Sequence, residues 1–153
     1  MKSVYKVLAY IVAALVVVQS ASMVFAVAGL GIWVEDGGVL DAAAFEDESL
    51  SFTGVAGFMV HGITGMMVIP LLTIALLVVS FFAKTPGAIR NAAIVLALVV
   101  LQIALGLFGH ENAYVGMLHG VNALVLFSAA LHTGRSAGKA EVATEEVRAP
   151  AAV

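Results

Sequence analysis

Charged side chains fall in a few short clusters along this chain and leave long apolar runs between them. No Asp, Glu, Lys or Arg occurs between Val7 and Val34, between Ser49 and Ala83, between Asn91 and His110, or between Asn112 and Gly134. Each run reaches the roughly 20 residues that carry a helix across a hydrocarbon core about 30 Å thick. Leu, Val, Ala and Ile follow one another without period-two alternation, so these are not strands of a membrane barrel. The pattern predicts an all-α integral membrane protein with transmembrane helices over about 7–34, 53–83, 91–110 and 113–132, forming one bundle within residues 1–134. Short connections make consecutive helices antiparallel neighbours, which gives an up-down-up-down four-helix bundle.

Between the runs, residues 35–52 form an acidic loop with Glu35, Asp36, Asp41, Glu46, Asp47 and Glu48 around the turn signal Gly37-Gly38. Asp41 before Ala42-Ala43-Ala44 reads as the N-cap of a short surface helix, and Ser51 or Thr53 as the cap of the second span. Pro70 lies inside that span and predicts a kink, because it withholds a backbone donor. The loop after span two carries Pro86-Gly87. Beyond Gly134 the chain turns rich in Ala, Glu, Lys and Arg, and 135–153 reads as a disordered tail. No internal repeat stands out.

Composition narrows the class. Of 153 residues, 62% are apolar and 11% charged, with a mean hydropathy of +1.09, too little polar surface for a water-facing domain. Net charge is −3 and the basic residues form no stripe, so nucleic acid is not an expected partner, whereas the lipid bilayer is. Cysteine is absent, which excludes disulfides, thiolate metal sites and cysteine nucleophiles. The charges also orient the bundle. Lys2 and Lys6 precede span one, Lys84 and Arg90 lie between spans two and three, and Arg135, Lys139 and Arg148 follow span four. The opposite loops hold only acids. Under the positive-inside rule both termini are cytoplasmic, and the protein is a multi-pass protein of the cell's inner (plasma) membrane. Trp33 suits an interfacial anchor at the outer end of span one. The start of the chain also resembles a signal peptide, with Ser20-Ala21-Ser22 as the small residues, but the apolar run continues to Val34, well past a short signal core.

Polar groups inside a bilayer are costly and mark functional candidates. Here they are Gln19, Ser20, Ser22, His61, Thr64, Gln102, His119 and Asn122. Counted from the outer face, His61 lies about 12 Å and His119 about 10 Å deep at 1.5 Å per residue. The two imidazoles therefore share a level on non-consecutive helices, whose axes in a square bundle stand about 12–14 Å apart. That gap suits a flat macrocycle held by one axial imidazole on each side. Gly57 and Gly65 lie one turn either side of His61, and Gly116 and Gly120 flank His119. Such glycines either clear room for a planar ligand or bring helices close together. Gln102 lies at similar depth and could bond a haem edge, a quinone carbonyl or another helix. His110, beside Glu111 at the outer surface, could meet a haem propionate, join a metal site or be an interfacial residue. His132 has no matching ligand near Ile74, so a second bis-histidine haem is not expected.

The stretch Leu101-Gln102-Ile103-Ala104-Leu105-Gly106-Leu107, with Met117-Leu118-His119-Gly120, resembles the third and fourth helices of one half of the haem A synthase family. Val60-His61-Gly62-Ile63-Thr64-Gly65 resembles the histidine-bearing second helix of such a half. The likeness spans roughly residues 50–132 and implies a four-helix bundle with a histidine from its second and fourth helices around a haem. Three departures bear on chemistry. Phe58 stands where the catalytic half of the family carries Glu, Gly62 where Arg is frequent, and the outer-loop cysteine pair of many members is missing. The resemblance is thus to the non-catalytic half that holds haem b, and implies no hydroxylation. The chain also resembles small uncharacterised bacterial four-span membrane proteins.

These readings lead to a membrane b-type cytochrome with His61 and His119 as axial ligands, a binding or electron-transfer protein rather than an enzyme. Two imidazoles fill both axial positions, which favours electron transfer with a quinone or a partner redox subunit. The alternative is a small membrane subunit or assembly factor without cofactor, its histidines bonded to other helices. A third reading, zinc or copper on His61, His119, His110 and Glu111, suffers from the depth difference between His110 and the pair. A homodimer with haem between protomers also remains open. No Ser/His/Asp constellation supports hydrolysis, and no charged residue lines the interior as transport would need.

Overall fold

The computed structural model describes residues 1–41, 44 and 50–148, with side chains described as far as Gly138. Among these residues there is no strand. The helices are α1 (Lys2–Glu35), α2 (Ala56–Ile63), α3 (Ile69–Ser80), α4 (Ala88–Gly109) and α5 (Ala113–Arg148), with a π-helical turn at Thr64–Val68 joining α2 to α3. They make four helices long and apolar enough to cross a membrane: Lys2–Glu35, Ala56–Ser80, Ala88–Gly109 and Ala113–Gly138, here spans one to four. Large apolar side chains such as Val24, Leu71 and Leu124 lie more than 60% exposed around the bundle, as a bilayer-facing surface requires.

The local breaks have identifiable causes. Pro70 offers no N–H to the carbonyl a turn before it. The expected distortion takes the form of the π turn, where the Ile69 N–H reaches the Thr64 carbonyl. Span two is not capped by Ser51 or Thr53. Its helix starts at Ala56 with no side-chain cap, after a turn at Gly54 whose φ of +102° suits glycine. A β-carbon there would also sit 2.5 Å from the Phe25 carbonyl oxygen. The Asp41 carboxylate does accept a bond from the Ala44 N–H at 2.9 Å, as an N-cap would. The rest of that short helix falls outside the described residues. Where composition predicted a disordered tail from residue 135, α5 continues to Arg148. Ala, Glu, Lys and Arg are good helix formers, and Ala137 is buried in the same core as Tyr5 and Ala9.

Span one packs on spans two and four, and span three on spans two and four. The resulting square bundle is filled unevenly. At the end that carries Lys2, Lys6, Lys84 and Arg90, all four spans contribute to a continuous core that includes Tyr5, Val12, Leu76, Val95 and Leu126. The Tyr5 hydroxyl donates to the Ala88 carbonyl at 2.9 Å, tying the start of α1 to the start of α4. Towards the other end, no residue of 100–109 in α4 or 113–121 in α5 is buried. Burial there is confined to the seam of spans one and two, at Ala26, Gly29, Gly54 and Gly57. We refer to the basic end and the histidine end.

Candidate functional site: two tethered imidazoles

His61, on α2, and His119, on α5, come from spans that lie across the bundle from one another. Both project inward, and their ring centroids stand 6.1 Å apart with planes tilted by 56°. Each ring is held by its Nδ1. His61 Nδ1 lies 3.2 Å from the Gln19 carbonyl oxygen of span one, and His119 Nδ1 lies 3.0 Å from the Gln102 carbonyl oxygen of span three. A carbonyl only accepts, so Nδ1 carries the proton in both rings and the lone pair falls on Nε2. Neither Nε2 has a hydrogen-bond partner among the described residues.

The glutamines do more than supply carbonyls. The Gln19 side-chain amide donates to the Thr64 hydroxyl, one turn beyond His61, and Thr64 in turn donates to the Val60 carbonyl. Across the bundle, Gln102 Nε2 donates to the His119 carbonyl at 3.0 Å. Its Oε1 accepts from Asn122 Nδ2 at 2.6 Å, one turn beyond His119. Asn122 also donates to the Leu98 carbonyl at 3.0 Å. Of the three roles open to Gln102, the structure gives it the bond to another helix, and uses both ends of its amide there.

This correspondence exposes a repeat that the linear reading missed. Val16-Val17-Val18-Gln19-Ser20-Ala21 matches Val99-Val100-Leu101-Gln102-Ile103-Ala104, and Met59-Val60-His61-Gly62-Ile63-Thr64 matches Met117-Leu118-His119-Gly120-Val121-Asn122. Spans one and two therefore repeat as spans three and four. In each pair a glutamine of the odd span tethers a histidine of the even span and engages the residue three positions on. The intervals hide it: glutamine and histidine lie 42 residues apart in the first pair and 17 in the second, the longer run of α1 beyond its glutamine and the acidic loop together making the difference. Gln19, Thr64 and Asn122 were visible as polar residues in apolar runs, but only the repeat gives them a role.

The candidate glycines divide. A β-carbon on Gly57 would lie 2.3 Å from the Ser22 carbonyl oxygen, and one on Gly116 would lie 3.5 Å from that of Gly109, so both lie at helix–helix contacts. Gly65 faces the Gln19 side chain at 3.2 Å. Gly120 and Gly62 have nothing within 4 Å. Gly106 lies against the His119 ring, where a β-carbon would sit 3.1 Å from Cε1. His110 caps α4 at the exposed surface, and among the described residues no three His, Asp or Glu side chains converge as a metal site would need. Trp33 packs on Phe52, with ring centroids 6.1 Å apart, and Phe52 on Phe58, at 6.3 Å, closing the seam of spans one and two at this end.

The donor set can be tested against a metal group. Two imidazoles bound through Nε2 at about 2.0–2.1 Å on opposite sides of one ion would have centroids about 6 Å apart, close to the separation found. Nδ1–H bonded to a backbone carbonyl is also the usual outer contact of a ligating histidine. A bare zinc ion wants four ligands, and only two converge. The pair therefore fits a metal that brings its own equatorial donors, as haem does, better than a free ion. No family model, curated protein or solved structure matches the chain.

Proposed function

We propose that the protein is a membrane b-type cytochrome that holds one haem b through His61 and His119. The observation that carries this reading is the facing pair of imidazoles, each tethered at Nδ1, with Nε2 free of partners among the described residues and the rings 6.1 Å apart. Bound haem b supplies a one-electron carrier. The residues of this chain would hold it, fix both imidazole tautomers and keep the surroundings apolar. Two imidazoles holding one haem would favour electron transfer to or from a quinone or a partner membrane subunit over substrate activation. The likeness of the histidine-bearing stretches to a haem-b-holding half of the haem A synthase family points the same way. We place the bundle in the inner (plasma) membrane, up-down-up-down, with both termini cytoplasmic. The support is the gathering of Lys2, Lys6, Lys84 and Arg90 at one end and of Glu35, Asp36, Asp41 and Glu111 in the opposite loops.

The second reading, a cofactor-free small subunit, is favoured by Gly57, Gly116 and the Gln102 side chain, all engaged in helix contacts. Absorption spectra separate the two. Purified protein offered haem during expression is expected to show a sharp reduced α-band, typed as haem b by pyridine extraction. A protein that stays colourless would leave the cofactor-free subunit.

A further inference from the structure

The two histidine clamps repeat in plan but differ in strength. His119 belongs to the 36-residue α5. Its Nδ1 bond is reciprocated by the Gln102 amide bonding the His119 carbonyl, and Gln102 is held in turn by Asn122, which is buried and tied to Leu98. Gly106 closes on the ring from span three. His61 instead sits on α2, eight residues long, bounded by the Gly54 turn on one side and the π turn on the other. Its tether to Gln19 is longer, at 3.2 Å, and the Gln19 amide engages the Thr64 side chain without reaching the His61 backbone. Thr64 itself opens the π turn, and π turns interrupt the regular bonding of a helix, frequently at functional sites.

We propose that His119 is the resident ligand and His61 an exchangeable one, so that the site accepts a small uncharged donor in the place of His61. This rests on the haem reading above. The exchange would be a ligand substitution: the His61 imidazole would leave neutral with its Nε2 lone pair, and the incoming ligand would supply the lone pair that takes its place. No electron or proton is transferred. The ligand class is a diatomic such as carbon monoxide for the reduced protein, or an imidazole-type base. The consequence would be a sensor-like or gated cytochrome that admits its ligand on the His61 side, next to the π turn.

The full chain in detergent, loaded with haem b and reduced, is titrated with carbon monoxide. Wild-type protein is expected to bind it, with loss of the low-spin α-band. His61→Ala should keep most of its haem and regain a low-spin spectrum when free imidazole is added. His119→Ala should lose haem affinity at least about tenfold more than His61→Ala does. Far-ultraviolet circular dichroism shows whether each variant keeps its helices, and the wild-type titration needs no variant. Low-spin wild-type protein that ignores carbon monoxide, or two variants that lose haem equally, would overturn the inference while leaving the bis-histidine cytochrome intact. Wild-type protein that takes up no haem would overturn both.

Discussion

The basic end and the histidine end use the same apolar composition in opposite ways. At the basic end all four spans converge on Val12, Leu76, Val95 and Leu126, and the tyrosine at the start of span one is bonded across to span three. At the histidine end the spans associate in two pairs, one–two through Gly57 and three–four through Gly109 and Gly116, and residues 100–109 and 113–121 are never buried. In a membrane, side chains gain nothing hydrophobic by leaving lipid, so association depends on close fit and on polar bonds. The basic end takes the first route and holds the bundle together. The histidine end takes the second within each pair and leaves two imidazoles facing between the pairs. Stability and site are thus separated along the helix axis.

Reversible unfolding in mixed micelles would sharpen that contrast. The largest loss is expected for Leu76→Ala, which empties a fully buried position and should cost about 2–5 kcal/mol. Its counterpart Leu107→Ala, 57% exposed near the histidine end, should stay within about 0.5 kcal/mol. If the two cost the same, the uneven core is refuted. Next come two glycines on one short helix. Gly57→Ala drives a β-carbon to 2.3 Å from a span-one carbonyl and should cost about 1–3 kcal/mol. Gly62→Ala meets nothing within 4 Å, and a change within about 0.5 kcal/mol is expected. Tyr5→Phe should cost less than either Leu76→Ala or Gly57→Ala. It removes one interhelical hydrogen bond at the basic end, worth about 0.6 kcal/mol on average in membrane bundles.

Much of this architecture was legible in the sequence because charge is so costly in lipid. The gaps between charged residues marked all four spans to within a few residues, apart from the start of span one and the end of span four. Depth counting put His61 and His119 on one level, and they do face each other. The finer chemistry was hidden for physical reasons. A backbone carbonyl that tethers a histidine leaves no mark in residue type, so Gln19 and Gln102 could be seen as polar but not as tethers. Small residues look alike whether they admit a ligand or another helix, and only their packing separates Gly57 from Gly120. The repeat escaped because the acidic loop lengthens one pair's connection, although the His-Gly steps in spans two and four were visible. Pro70 announced a distortion, but a π turn and a kink share that signal.

The paired clamps have a consequence for any flat ligand between them. The repeat matches His61 with His119 and Gln19 with Gln102, so turning such a ligand over exchanges the imidazole that each of its faces meets. A porphyrin with unlike edges would then meet different walls in its two settings: Gly106 lies against the His119 ring alone, and Thr64, which opens the π turn, stands where Asn122 stands across the bundle. One orientational isomer of such a ligand should therefore outnumber the other.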